Sequence, residues 1–151
     1  MSDITIRRFV EMIYEAFPQC GGGSDDASPD DAFASLHAAH LRGWLEDQDE
    51  RFPDTHLDRR TAARIIHNFM RIVLSIPDLP DITPATKLAD LYTCHACVNH
   101  VAQVFCRGII TSTQTERDGK IYEIFDMLSP ISESEGQEII KKIQALHRLI
   151  Q

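Results

Sequence analysis

No apolar run in this chain approaches the roughly 20 residues that a membrane-spanning helix needs, so no membrane span is expected. The first residues, MSDITIRRFVEMIYEAF, are too charged and too periodic for the apolar core of a secretory signal. The chain is therefore expected in the cytoplasm if it is complete, and at the cell surface if it is a piece of a longer exported protein. Basic charge is scarce: 15 Lys and Arg stand against 23 Asp and Glu, for a net charge of -8. Nucleic acid is excluded as the main partner, because a phosphate-rich polymer would be repelled on average. The cluster Arg59, Arg60 and Arg64 reads as one solvated helix turn. Cysteine is sparse too, and Cys20, Cys94, Cys97 and Cys106 are not spaced like a secreted disulfide framework, so reduced thiols are expected. The rest is ordinary. The chain has 151 residues, 43% apolar and 25% charged, which suits one soluble domain able to bury roughly 70% of its unfolded surface.

Apolar residues recurring at three and four predict helices over 4–17, from Ser28-Pro29 to Gly43, from Asp58 to just before Pro77, from Ala85 to Arg107, and from Ser132 to Leu149. Thr5 or Asp3, Asp58 and Ser132 are available as caps, and Ser132 with Glu135 makes a capping box. The stretch 20-CGGGSDDASPDD-31 is a breaker-rich loop, and 77-PDLPDITPAT-86 holds three prolines and cannot be regular helix. From Ile109 to Pro130 the pattern weakens. Asp118-Gly119 marks a turn, and 120-KIYEIFDML-128 suits a short paired strand or irregular packing. The expected class is all-α.

Three helices share an entry pattern: 4-ITIRRFVEMI-13, 57-LDRRTAARII-66 and 131-ISESEGQEII-140. In each, an aliphatic residue precedes a small polar cap, and an apolar pair follows eight or nine positions later. The two later copies follow a helix that ends in Gly and two apolar residues, Gly43-Trp44-Leu45 and Gly108-Ile109-Ile110, and then a polar loop. Repeats of this length suggest stacked helix–loop–helix units, none able to bury its apolar face alone.

At these residues the chain resembles the S-layer homology family, whose repeat is a helix ending in Gly-Ile or Gly-Trp, a loop carrying Asp-Gly and Pro, and a helix opened by Ile-Thr-Arg-Ala-Glu. Gly43-Trp44, Pro53 and 57-LDRRT-61 carry one match, and Gly108-Ile109, Asp118-Gly119, Pro130 and 131-ISESE-135 carry another. The resemblance implies a single domain over 1–151, with repeat helices at 4–17, 30–75 and 85–150, forming an all-α bundle around a pseudo-threefold axis. It also implies a non-enzymatic module for attachment, protein–protein or cell-surface contact, or anchoring to cell-wall polysaccharide. The motif arginine that grips an acidic sugar maps to Ile6, Arg59 and Glu133, so Arg59 alone keeps it. With Gly43 and Trp44 it defines the one groove expected to hold carbohydrate. The first copy lacks its leading helix, which predicts an apolar patch at Phe9, Ile13 and Phe17, open to self-association or a protein partner.

The stretch 93-TCHACVNHV-101 carries a different chemistry. At 100° per residue Cys94, Cys97 and His100 lie along one helix face and could touch one metal ion, with His40, His67 or Cys20 as a fourth ligand. The simpler reading is packing, because Cys94 falls on the Leu91–Val98 stripe and cysteine packs as a small apolar group. A redox pair is disfavoured, since such a motif belongs at a helix start, whereas here nine helical residues are expected before it. His37, His40, His56, His67 and His147 read as scattered surface or core residues, and no cofactor is expected.

Overall fold

A computed structural model describes residues 3–18 and 32–150, without the side chains of Ala32 and Phe33. The loop and helix start expected between Cys20 and Asp31 lie outside the described residues. Six helices appear among them: α1 (Ile6–Ala16), α2 (Ala32–Arg42), α3 (Asp47–Arg51), α4 (Arg59–Ile72), α5 (Val98–Cys106) and α6 (Glu133–Ile150). None is long and apolar enough to cross a membrane.

The chain is not all-α. Strands β1 (Thr113–Arg117) and β2 (Lys120–Ile124) form an antiparallel pair, with Thr113 opposite Ile124 and Arg117 opposite Lys120. The reason is local. Asp118 (φ 54°) and Gly119 (φ 78°) both take positive φ, as a two-residue hairpin turn requires. The β-branched and aromatic residues of 120-KIYEI-124 suit the pleated surface that follows. Asp90 holds the exit of β2 by accepting the Phe125 and Asp126 N–H groups, each at 2.8 Å.

The three helix entries meet in a closed ring. Ile4 N–H donates to the Ile131 carbonyl, Ile131 N–H to Leu57, and Leu57 N–H to Ile4, each at 2.9 Å. All three side chains are buried. Each entry is then capped: Thr5, Asp58 and Ser132 accept from the N–H of Arg8, Thr61 and Glu135. The capping box at Ser132 is only half made, because the Glu135 carboxylate turns instead to Arg59. Two positions beyond the ring residue, Ile6 donates to Thr55 and Arg59 to Ser129. Three positions beyond, Arg7 donates to Pro53 and Arg60 to Met127. The first two entries thus bond the loop before the next entry at equal offsets.

Around this ring α1 and α6 pack closely. A Cβ on Gly136 would lie 3.0 Å from both Ile4 Cδ1 and Met12 Cε, so a glycine there permits the approach. The patch expected at Phe9, Ile13 and Phe17 is not exposed. All three are core residues, and Phe17 packs against Phe69 (ring centroids 5.3 Å apart) and His147 (5.9 Å). Helices α2 and α6 pack on α1, and Phe69 of α4 meets Phe17, which closes the side that the missing helix was expected to leave open.

The expected helix from Ala85 to Arg107 breaks into pieces. Short 3₁₀ turns at Thr83–Lys87, Leu91–Thr93 and His95–Cys97 precede α5. Leu88 and Leu91 are still buried. The apolar stripe was real, but a tighter winding satisfies it.

Candidate functional site

The residues expected to hold carbohydrate point inward. Arg59 is 9% exposed. Its Nε donates to the Phe125 carbonyl at 2.7 Å, Nη1 to Glu135 at 2.5 Å, and Nη2 to the Thr111 carbonyl, while the guanidinium lies 5.1 Å from the centre of the Phe125 ring. Every guanidinium nitrogen therefore has a partner within the fold. Trp44 is 1% exposed. It sits edge-on to Phe69 at 4.9 Å and beside Tyr14 at 5.7 Å, so its face is not open to a sugar ring. Gly43 takes φ 95° and ends α2, where the backbone must turn left-handed. Arg64 is not solvated either: it makes a two-pronged contact with buried Asp49, at 2.7 and 2.9 Å, that ties α3 to α4.

The proposed ligand set Cys94, Cys97 and His100 is not assembled. Cys94 and Cys97 are joined as a disulfide, so neither sulfur is a free thiolate, the form that binds metal. The expectation of reduced thiols at this pair is corrected accordingly; Cys106 is a free cysteine. The position of the pair is corrected as well. Cys94 has extended backbone (φ -127°, ψ 103°) and stands immediately before the turn His95–Cys97, whose Cys97 N–H bonds the Cys94 carbonyl at 3.1 Å. That turn runs directly into α5, with Val98 N–H bonded to the His95 carbonyl. Cys94 thus occupies the start of a helical run and Cys97 lies one turn inside it. No side chain caps the first N–H groups of that run. Both cysteines are half-buried, and His95 and Ala96 between them are exposed.

His100, one turn further along α5, faces a different partner. Its Nδ1 lies 2.8 Å from Nδ1 of buried His67, whose Nε2 lies 2.6 Å from Asp78 Oδ1. Asn99 donates to the other Asp78 oxygen at 3.1 Å. A carboxylate only accepts, so His67 Nε2 carries a proton, and the Nδ1 pair needs one donor and one acceptor. Burial, then His67, Arg64 and Arg71 in turn, push the His100 pKa down to about 4, against a smaller opposing pull from Asp78. His100 is thus held as a neutral imidazole. This chain fixes α5 against α4 and the Pro77–Pro80 segment, and Gln103 adds bonds to the Leu79 N–H (2.8 Å) and carbonyl (3.2 Å).

A cleft of about 380 Å³ lies between the hairpin and the turn that leads to Cys94. Asp90, Thr93, Thr115, Tyr122 and Ile124 line part of it. Thr93, the residue before Cys94 in the sequence, is part of that lining.

Sequence reasoning also missed that His37 and His40 converge on Glu50. The signal was present as the three-residue histidine spacing in 35-SLHAAHLRGW-44, on one face of a helix. No known protein family, curated protein or solved structure matches the chain.

Proposed function

We propose that this chain is a thiol–disulfide redox protein whose working pair is Cys94–Cys97. The observation that carries the reading is the position of the pair: a half-buried Cys-x-x-Cys disulfide at the start of a helical run. At such a position the uncapped N–H groups stabilise a thiolate on Cys94, which makes it a good leaving group and a good nucleophile. The exchange is balanced by an external dithiol, or by two thiols. Its thiolate attacks one sulfur, the S–S bond breaks, and the second sulfur leaves as thiolate. A second external thiol then completes the reduction. Cys94 and Cys97 take up two electrons and two protons, and the external pair becomes a disulfide.

A purely structural staple accounts less well for the same bond. The cysteines are three positions apart, and closing so short a loop constrains the unfolded chain by only about 2 kcal/mol, against nearly 5 for a loop of a hundred residues. Purified protein incubated with reduced thioredoxin-class dithiol, then trapped with a maleimide, should gain two labels at Cys94 and Cys97 with unchanged circular dichroism. Retention of the disulfide under those conditions, or unfolding once it opens, would assign it to structure alone.

A second reading is an attachment module of the S-layer homology type. It is favoured by the backbone ring of Ile4, Leu57 and Ile131 with its repeated offsets. The inward-facing Arg59 and Trp44 support attachment through protein contact rather than through polysaccharide. Sedimentation with purified acidic cell-wall polymer should leave the protein in the supernatant; co-sedimentation would restore the polysaccharide-anchor alternative.

A further inference from the structure

Two imidazoles and one carboxylate converge on the outer side of α2 and α3. His37 and His40 are three apart on α2 and present the same face. Nδ1 of His37 lies 2.5 Å from Glu50 Oε1, and Nδ1 of His40 lies 2.5 Å from Oε2. One ligand atom from each of the three residues lies within 4.8 Å of the others. Two ligands bonded to one tetrahedral ion at about 2.0–2.1 Å are roughly 3.4 Å apart, so the three donors need only small rotations to share an ion.

The supporting structure holds these donors in place. The turn between α2 and α3 is tight: Gly43 donates to the Ala39 and His40 carbonyls, and Trp44 and Leu45 both donate to Ala39. Buried Trp44 anchors that turn in the core, and Asp49, beside Glu50, is gripped by Arg64 from α4. The separation of the two helices is thus set by the core rather than by the histidines. The local charge also suits a cation. The segment 46-EDQDE-50 carries four acids; Arg64 meets Glu46 and Asp49, and Arg51 meets Asp47, which leaves Glu50 to the histidines.

We propose that His37, His40 and Glu50 form a binding site for a divalent transition-metal ion of the zinc class. Two imidazole nitrogens and one carboxylate suit zinc, cobalt or nickel better than calcium or magnesium, which prefer all-oxygen shells. Without metal, each Nδ1 carries the proton it donates to Glu50. When the ion binds, each Nδ1 proton passes to solvent and one is taken up at Nε2, so each ring changes tautomer and its freed Nδ1 lone pair turns to the ion. Three protein ligands leave the remaining position to water, because His37 is 58% exposed and the site is open to solvent. This site is independent of the cysteine pair.

Titration of the untagged, oxidised full chain with Co²⁺, followed by competition with Zn²⁺, tests the assignment. One ion per chain is expected, with a visible d–d spectrum that lacks a thiolate-to-cobalt charge-transfer band. His40→Ala and Glu50→Gln should each weaken binding at least tenfold, while the Cys94→Ser/Cys97→Ser double variant should bind as the wild type does. All of these substitutions fall at exposed or half-buried positions, and circular dichroism checks that each variant folds. Unchanged affinity in His40→Ala and Glu50→Gln, a thiolate band, or no saturable binding would overturn the proposal.

Discussion

Replacing Arg59 with alanine separates a structural arginine from a ligand-binding one. Three contributions are lost. The Phe125 carbonyl belongs to a fully buried residue, so leaving it without its donor costs about 2 kcal/mol. The Glu135 carboxylate is 34% exposed, so the ion pair is screened and contributes under about 1 kcal/mol. The guanidinium over the Phe125 ring adds about 0.5–1 kcal/mol. The Thr111 carbonyl is on an exposed residue, and water takes over its bond. The expected loss is about 3 kcal/mol, which in a chain of this size lowers Tm by roughly 6–12 °C. Arg59→Met keeps the packing and should lose less than Arg59→Ala. Urea unfolding followed by circular dichroism reads the free energy, and calorimetry reads Tm. A loss below about 1 kcal/mol in Arg59→Ala would mean that the guanidinium is not anchored as described, and would return Arg59 to the list of ligand residues.

Two further outcomes follow from the same structure. His100 is held neutral in the fold at a pKa of about 4, whereas an unfolded histidine titrates near 6.5. Between those values the unfolded chain takes a proton that the fold refuses, so stability present above pH 6.5 falls as pH drops toward 4. The full shift corresponds to about 3 kcal/mol; partial solvent access to His100 reduces the expected effect to about 1–2 kcal/mol. Urea unfolding across that range should show the slope in the wild type and a flatter curve in His100→Gln, and identical curves would contradict it. At Gly43, φ of 95° disfavours any L side chain, and an added Cβ would lie 3.4 Å from Ile72 Cδ1. Gly43→Ala should therefore cost about 1–2 kcal/mol in chemical unfolding, and no loss would mean that the turn relaxes freely.

The helix entries were legible in the sequence because their signals are local. Thr5, Asp58 and Ser132 cap the helices they precede, and their bonds reach only three residues ahead. Asp118-Gly119 was legible for the same reason, although the strands on either side were not committed to, and the all-α expectation failed there. The helix expected from Ala85 to Arg107 failed because periodicity reports burial rather than winding. Leu88 and Leu91 reach the core through 3₁₀ turns, and the Asp90 side chain reaches across to Phe125 and Asp126. That error moved Cys94 from a helix start to a helix middle and so hid the position on which the proposed redox role rests. The three-residue spacing of His37 and His40 was legible along α2, but the inward turn of Arg59 and the arrival of Glu50 depend on tertiary neighbours, of which spacing along one element carries no record.

The proposed redox role of Cys94–Cys97 stands or falls with the reduction potential of that pair. Equilibration in graded mixtures of reduced and oxidised dithiothreitol or glutathione, with acid quenching and mass analysis of maleimide labels, reads that potential. A single two-electron transition is expected, within the roughly -120 to -270 mV spanned by thiol–disulfide oxidoreductases. A transition below about -300 mV, where structural disulfides lie, or two independent thiols that never pair, would contradict the account.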